Sequence, residues 1–161
     1  MAPHIPPELL AMMARGVSVI VGSRDARLRP SLMRAVGSDL DAATGSVTVY
    51  LSRPHSRQLL QDLAATGRIA VVFSEPASHR SLQLKASRVE MRQAQPADVP
   101  VLQRYLASME QEVARVGFAA PLTRAMLAHR LADVVAVRFT PQEAFEQTPG
   151  PRAGSALGRP E

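Results

Sequence analysis

The sequence predicts a mainly β protein of the α+β class, in which roughly six to seven antiparallel strands form a barrel or a sandwich. Two observations lead to this prediction. Five or six strand-like segments crowd into about 75 residues, a density typical of barrels and sandwiches rather than of a parallel α/β sheet. After Asp98, apolar residues recur at helical spacing, which predicts a C-terminal helical insert.

The predicted strands are short segments of β-branched or alternating apolar residues that lie between turn-forming residues. The first ends at the turn-forming cluster 22–25, so the next segment can pair back on it as a hairpin. Later segments continue the antiparallel order, and a last strand follows the helical insert. The predicted strands cover residues 17–21, 29–35, 46–51, 68–73, 81–85 with a continuation through 88–91, and 134–139.

Three helices are predicted. Apolar residues at helical spacing follow Ser56, a candidate N-cap, and Gly67 is placed to end that short helix between strands. The longest helix begins at Asp98, which is available as its cap, and another covers residues 122–131. We expect a single domain over residues 1–161, with irregular tails at 1–9 and 149–161.

Composition excludes several kinds of chemistry. The chain has no cysteine, which rules out disulfides, thiolate nucleophiles and iron–sulfur clusters. Of its 19 basic residues only Lys85 is a lysine, and the net charge is +5, so an anionic partner such as phosphate suits its many arginines. These arginines are dispersed, tryptophan is absent and aromatics make up 4%, which argues against nucleic acid. Without a signal peptide or an apolar span, we expect a cytoplasmic protein with no membrane partner.

Four local motifs occur in the order of a known family. Arg29 and Arg34 flank four mostly apolar residues on a predicted strand, the pair Val49-Tyr50 lies on a later one, and Ser56-Arg57-Gln58 opens the short helix. Arg80-Ser81 then opens another strand. This order resembles the FMN-binding split-barrel family typified by pyridoxamine 5'-phosphate oxidase. The resemblance implies that the cofactor contacts are Arg29, Ser31, Met33, Arg34, Val49, Tyr50, Ser56, Arg57, Gln58 and Ser81.

The Ser56-Arg57 motif also makes physical sense alone, since a helix N-terminus presents unpaired amides and a partial positive charge to a phosphate. Two positions depart from the family pattern. Gln58 stands where the family has a lysine, so Arg29, Arg34 or Arg53 would have to supply the missing positive charge. Ser81 stands where the family has a glutamine. The chain also lacks the late tryptophan of the oxidase, so we do not expect it to be that oxidase.

The resemblance implies an FMN-dependent oxidoreductase of unknown substrate, with the flavin at a homodimer interface and no catalytic side chain. The alternatives are a haem- or deazaflavin-binding protein and a cofactor-less dimeric relative. We expect the long helix and the apolar faces of Val47, Val49 and Val71 to form the interface.

Metal and hydrolytic chemistry find little support in the sequence. The four histidines show no paired ligand spacing, and there is neither a Gly-rich phosphate loop nor a nucleophile elbow. His79 and His129 are candidate axial ligands if the haem alternative applies.

Overall fold

The structure, a computed structural model, describes residues 3–158, which form two antiparallel sheets with helices packed around them. The helices are α1 (Pro7–Arg15), α2 (Arg57–Thr66), α3 (Val99–Ala114) and α4 (Ala120–Met126). The strands are β1 (Ser18–Arg24), β2 (Pro30–Arg34), β3 (Gly37–Asp41), β4 (Ser46–Ser52), β5 (Ile69–Ser74), β6 (Ser81–Ala86), β7 (Glu90–Gln93), β8 (Val134–Phe139) and β9 (Glu143–Glu146). The antiparallel α+β fold class predicted from the sequence is confirmed, but residues 3–158 form nine strands where six to seven were predicted.

The main core lies between the two sheets. The five-stranded sheet has the order β2-β1-β5-β6-β9, and the four-stranded sheet has the order β3-β4-β8-β7. In the first sheet Val21 lies opposite Val71, and in the second Val49 lies opposite Val137. All four side chains are fully buried in one hydrophobic cluster, because alternate side chains of each strand point to the same face.

A second, smaller core lies on the other face of the four-stranded sheet, beneath the start of α3. Tyr50, Leu102 and Ala136 pack together there, and Tyr50 donates a hydrogen bond to Asp98. Burial, reinforced by that bond to a carboxylate, raises the pKa of Tyr50 far above its ordinary value. Tyr50 is therefore a neutral structural residue of this core.

Several element boundaries differ from the sequence prediction. α1 begins at Pro7, inside the segment 1–9 that was predicted to be irregular. The expected continuation of β6 through 88–91 is instead β7, which pairs with β8 in the other sheet. The helix predicted over 122–131 is α4, which begins and ends earlier. Residues 1–2 and 159–161 of the predicted irregular tails lie outside the described residues.

The end of the chain carries two further differences. β8 was predicted to be the last strand, but β9 follows it and pairs with β6 at the edge of the five-stranded sheet. Ala156 then bridges to Phe145, so part of the predicted irregular tail lies against β9. Alternating apolar residues are too few in β9 to be recognised without its partner strand.

Gly67 ends α2 as predicted, and it has no room for a side chain. It adopts a left-handed conformation with φ of +66°, and a Cβ atom would lie 2.9 Å from the carbonyl oxygen of Ser87. Gly45 has a similar φ of +70° but open space around it. Substitutions at the two glycines therefore distinguish the cost of backbone strain from the cost of a collision with a neighbouring backbone.

We expect Gly67→Ala to lower the free energy of unfolding by about 2–3 kcal/mol and Gly45→Ala by about 1 kcal/mol. Both substitutions introduce the same left-handed strain, whereas only the first places a Cβ atom against the backbone of Ser87, between β6 and β7. Urea denaturation of the two variants measures the difference. Equal losses of stability would show that the contact with Ser87 relaxes without penalty.

No helix within residues 3–158 is long and apolar enough to cross a membrane.

Candidate cofactor-binding site

The N-terminus of α2 presents unsatisfied polar groups. Ser56 occupies the N-cap position, as predicted, but its side chain makes no capping hydrogen bond. Ser56 is only 1% exposed, yet its buried Oγ atom has no hydrogen-bond partner within residues 3–158. The first amides of an α-helix also lack intrahelical acceptors. This helix end therefore carries an unused hydroxyl beside unpaired N–H donors, a combination that suits an anionic ligand.

Beside this helix end lies a cavity of about 490 Å³, here called the arginine cavity, between α2 and β7. Three arginines line it, Arg53 from the turn before α2, Arg57 from its first residue and Arg92 from β7. Its apolar walls include Leu60, Met91 and Val135. The cavity thus combines positive charge at one end of α2 with an apolar surface.

The three arginines differ in how far their charges are compensated. Arg92 donates two hydrogen bonds, of 2.7 and 2.8 Å, to Asp98. Arg53 contacts a neutral acceptor, the Oε1 atom of Gln93, at 3.2 Å. The side chain of Arg57 makes no hydrogen bond or ion pair with any residue between 3 and 158. Arg53 and Arg57 are therefore the two cations whose charge is open to a ligand.

Asp98 fixes Arg92 at the wall of this cavity. Besides Arg92, the carboxylate accepts hydrogen bonds from the Tyr50 hydroxyl and from the backbone N–H of Gln95. The Arg92 guanidinium and these donors hold the pKa of Asp98 well below its usual range, although burial opposes the shift. Asp98 was predicted to cap α3, but its side chain instead closes the preceding turn in a capping box with Gln95.

Two of the predicted cofactor contacts meet at a buried carboxylate. Asp62 of α2, which is 4% exposed, accepts a hydrogen bond of 2.6 Å from Ser31 and one of 2.9 Å from Gln58. Ser31 and Gln58 are therefore neighbours, joined through Asp62. However, their side chains contact Asp62 and do not line the arginine cavity.

Two other predicted contacts line a different cavity. Arg34 and Ser81 border a space of about 460 Å³, here called the helical cleft, between the ends of β1, β5 and β6 and the pair α3 and α4. Arg34 donates a hydrogen bond of 2.7 Å to Ser18, and Ser81 shares one of 2.7 Å with Ser74. One chain therefore does not bring Arg34 and Arg57 into a single cavity.

The remaining predicted contacts have mainly structural surroundings. Arg29 lies in the exposed β1–β2 turn and pairs with Asp25 at 2.6 Å. Met33 packs against the main core, Val49 is fully buried within it, and Tyr50 is bonded to Asp98. None of these four lines the arginine cavity.

Sequence reasoning missed Arg92 as part of the site. Its segment was predicted to continue β6, and only the pairing of β7 with β8 brings it across from α2. No pattern in the sequence identifies that partner strand. Residues 3–158 hold no group of three His, Asp or Glu side chains placed to bind one metal ion.

No protein-family model matches the chain, and neither does any curated protein. Solved structures do match over most of the chain at low sequence identity. A protein described as an F420 reductase is 12% identical, with a TM-score of 0.59, over 87% of this chain and 98% of its own.

Two further structures are similar. A pyridoxamine 5'-phosphate oxidase-related, FMN-binding protein from Nostoc punctiforme is 8% identical, with a TM-score of 0.52, and the match covers 92% of this chain and 87% of that one. HutZ from Vibrio cholerae, described as a haem storage protein, is 17% identical, with a TM-score of 0.51, over 91% and 95% of the two chains. The chain therefore has the fold of the pyridoxamine 5'-phosphate oxidase-like proteins, the split barrel that the motif order implied.

Proposed function

We propose that this protein binds FMN, with the cofactor's phosphate at the N-terminus of α2. The observation that carries the proposal is the uncompensated guanidinium of Arg57 in the arginine cavity, directly after Ser56 in the sequence, whose buried hydroxyl has no partner within residues 3–158. Arg53 supplies a second cation at the same helix end. Hydroxyl, amide and guanidinium donors are the groups that hold a terminal phosphate, so the residues present fit this part of FMN.

The remainder of the arginine cavity suits the less polar part of the cofactor. Leu60, Met91 and Val135 offer apolar contact next to the phosphate end. Bound flavin supplies hydride or electron transfer, and the protein then has to bind it, orient it and exclude water. In this proposal Arg57 and Ser56 fix the phosphate, while Asp98 holds Arg92 in place at the cavity wall. We propose an oxidoreductase on this basis.

A deazaflavin or haem cofactor is the alternative. The F420 reductase and HutZ share this fold, which supports considering both. The absorbance spectrum of the purified protein distinguishes the candidates: a flavin band at about 450 nm, a deazaflavin band at about 420 nm, or an intense Soret band from haem. If the protein is purified without cofactor, titration with FMN, with riboflavin and with haemin tests each in turn. Failure of FMN to bind would overturn the proposal.

We also propose that two copies of the chain form a homodimer. The three valines expected at the interface are wrong, because Val47, Val49 and Val71 are at most 1% exposed inside the main core. The outer face of the five-stranded sheet offers a better surface. Ile20 and Val72 lie side by side on it, and Gly22 lies between Leu32 and Ala70 in the next row. This small-residue centre, with Leu32 65% exposed beside it, suits close packing against another sheet.

We expect Leu32→Asp to convert the dimer to monomer, because a carboxylate on this face would be buried against its own copy across the two-fold axis. Sedimentation velocity at micromolar concentration measures the oligomeric state. Leu122→Asp, a similarly exposed leucine on α4, is the control and should leave the dimer intact. A monomeric wild-type protein would contradict the dimer, and a dimeric Leu32→Asp variant would move the interface elsewhere.

A further inference from the structure

The helical cleft is the main accumulation of exposed apolar side chains in residues 3–158. Seven large hydrophobic residues are exposed within residues 3–158. Four of them line this cleft: Val116, Phe118, Leu122 and Met126. Buried Met109 and partly buried Val113 extend the same apolar wall along α3. Isolated apolar side chains are common on protein surfaces, but a contiguous group around a cavity marks a binding site.

The floor of the cleft carries unused polar groups. Thr123 is fully buried and lines the cleft, yet its Oγ1 atom has no hydrogen-bond partner within the described residues. Arg34 is partly buried and hydrogen bonds only to the neutral hydroxyl of Ser18. It forms no ion pair with any carboxylate of residues 3–158. A buried hydroxyl without a partner and a cation without a counter-ion are both stabilised when a polar ligand binds them.

The other charged group of the cleft is already compensated. Glu75 lines the cleft, but its carboxylate is bound by the Arg15 guanidinium and the Ser78 hydroxyl. The charge that remains open to a ligand is therefore positive. It lies at Arg34, at the end of the cleft formed by the strands, opposite the apolar wall formed by α3 and α4.

We propose that the helical cleft is a second ligand site, for a small organic anion with an apolar body. The anionic group, a carboxylate or a sulfonate for example, pairs with Arg34, and the apolar body packs against Phe118, Leu122 and Met126. A volume of about 460 Å³ is in the range of small-molecule sites. An apolar protein surface is a poorer occupant, because it would bury the Arg34 guanidinium without a counter-ion.

This site does not depend on the proposed FMN site. Arg57 lines the arginine cavity and Arg34 lines the helical cleft, so the two sites are tested by different substitutions. In an FMN-binding protein, the cleft would be a place for a substrate or an effector.

The test uses two fluorescent probes on the full chain, anilinonaphthalene sulfonate and phenylnaphthylamine, which has the same rings without the anionic group. We expect one sulfonate probe per chain, and Arg34→Met should weaken its binding about tenfold, since a charge-assisted contact is lost. Phenylnaphthylamine should bind both proteins equally, which also shows that the cleft of the variant is intact. Arg34→Lys, which keeps the charge, should retain most of the affinity for the sulfonate.

Substitutions at two exposed leucines test whether the probes contact the apolar wall of the cleft. Leu122→Ser should weaken both probes about fivefold, because it removes apolar contact in the cleft. Leu28→Ser, at an exposed leucine in the β1–β2 turn, should weaken neither. Saturating FMN should leave both affinities unchanged. Sulfonate binding that is insensitive to Arg34→Met, equal effects of the two leucine variants, or displacement by FMN would each overturn the proposal.

Discussion

Replacing Arg57 by alanine should weaken FMN binding roughly ten- to a hundredfold. Arg57 is the first residue of α2, directly after Ser56, and its guanidinium has no competing carboxylate within residues 3–158. Loss of a charge-assisted phosphate contact costs about 1.5–3 kcal/mol, which corresponds to that range of affinity. Quenching of flavin fluorescence during titration measures the dissociation constants of the variant and the wild type.

Arg104→Ala is the matched control. It removes the same charge from the protein, but Arg104 lies on α3 and pairs with Asp39 at 2.7 Å, away from the arginine cavity. It should bind FMN as the wild type does, apart from a small long-range effect that salt screens. Riboflavin, which lacks the phosphate, should bind Arg57→Ala and wild type equally. Equal FMN affinities for the two arginine variants would place the phosphate elsewhere.

The sequence predicts the fold better than the arrangement of the site. Strands β1, β4, β5 and β8 carry strong apolar or alternating patterns because one or both of their faces are buried, and all four were located closely. β9 has only two apolar residues and depends on pairing with β6, so its pattern is not distinctive. Local pattern therefore identifies the strands of the core more readily than those at an edge.

The candidate site shows the same limit at the level of side chains. Motif order places Ser56 and Arg57 correctly at the start of a helix, since that relation is local. It does not reveal that Asp62 lies between Ser31 and Gln58, because this contact joins residues 31 positions apart. Nor does motif order show that Arg34 and Arg57 line different cavities. Arg34 and Met33 are adjacent on β2, and alternation along the strand directs their side chains to opposite faces.

The cluster of Tyr50, Arg92 and Asp98 should contribute strongly to stability. We expect Asp98→Asn to lower the free energy of unfolding near neutral pH by about 2–3 kcal/mol. The substitution removes the negative charge of the carboxylate. That carboxylate accepts two hydrogen bonds from Arg92, one from the Tyr50 hydroxyl and one from the Gln95 amide. Asp98 itself is 6% exposed, so water has little access to the oxygen atoms that accept these bonds. Urea denaturation measures the change.

The pH dependence follows from the lowered pKa of Asp98. Its folded-state pKa lies well below the ordinary value of 3.8, so the ionised carboxylate stabilises the fold at any pH above about 4. That contribution declines as the pH falls below the ordinary value toward the folded-state pKa, since the unfolded chain then binds a proton that the folded chain does not. The stability difference between wild type and Asp98→Asn should therefore be constant from neutral pH to about pH 5 and shrink below about pH 4.

Asp133→Asn provides the control, because it removes the same charge from an exposed pair. Asp133 contacts Arg130, whose side chain is 82% exposed, and such surface pairs contribute about 0–1 kcal/mol. We expect this variant to unfold at nearly the same urea concentration as the wild type at every pH. If Asp98→Asn were no less stable than Asp133→Asn near neutral pH, the Asp98 cluster would not hold Arg92 at the cavity wall as described.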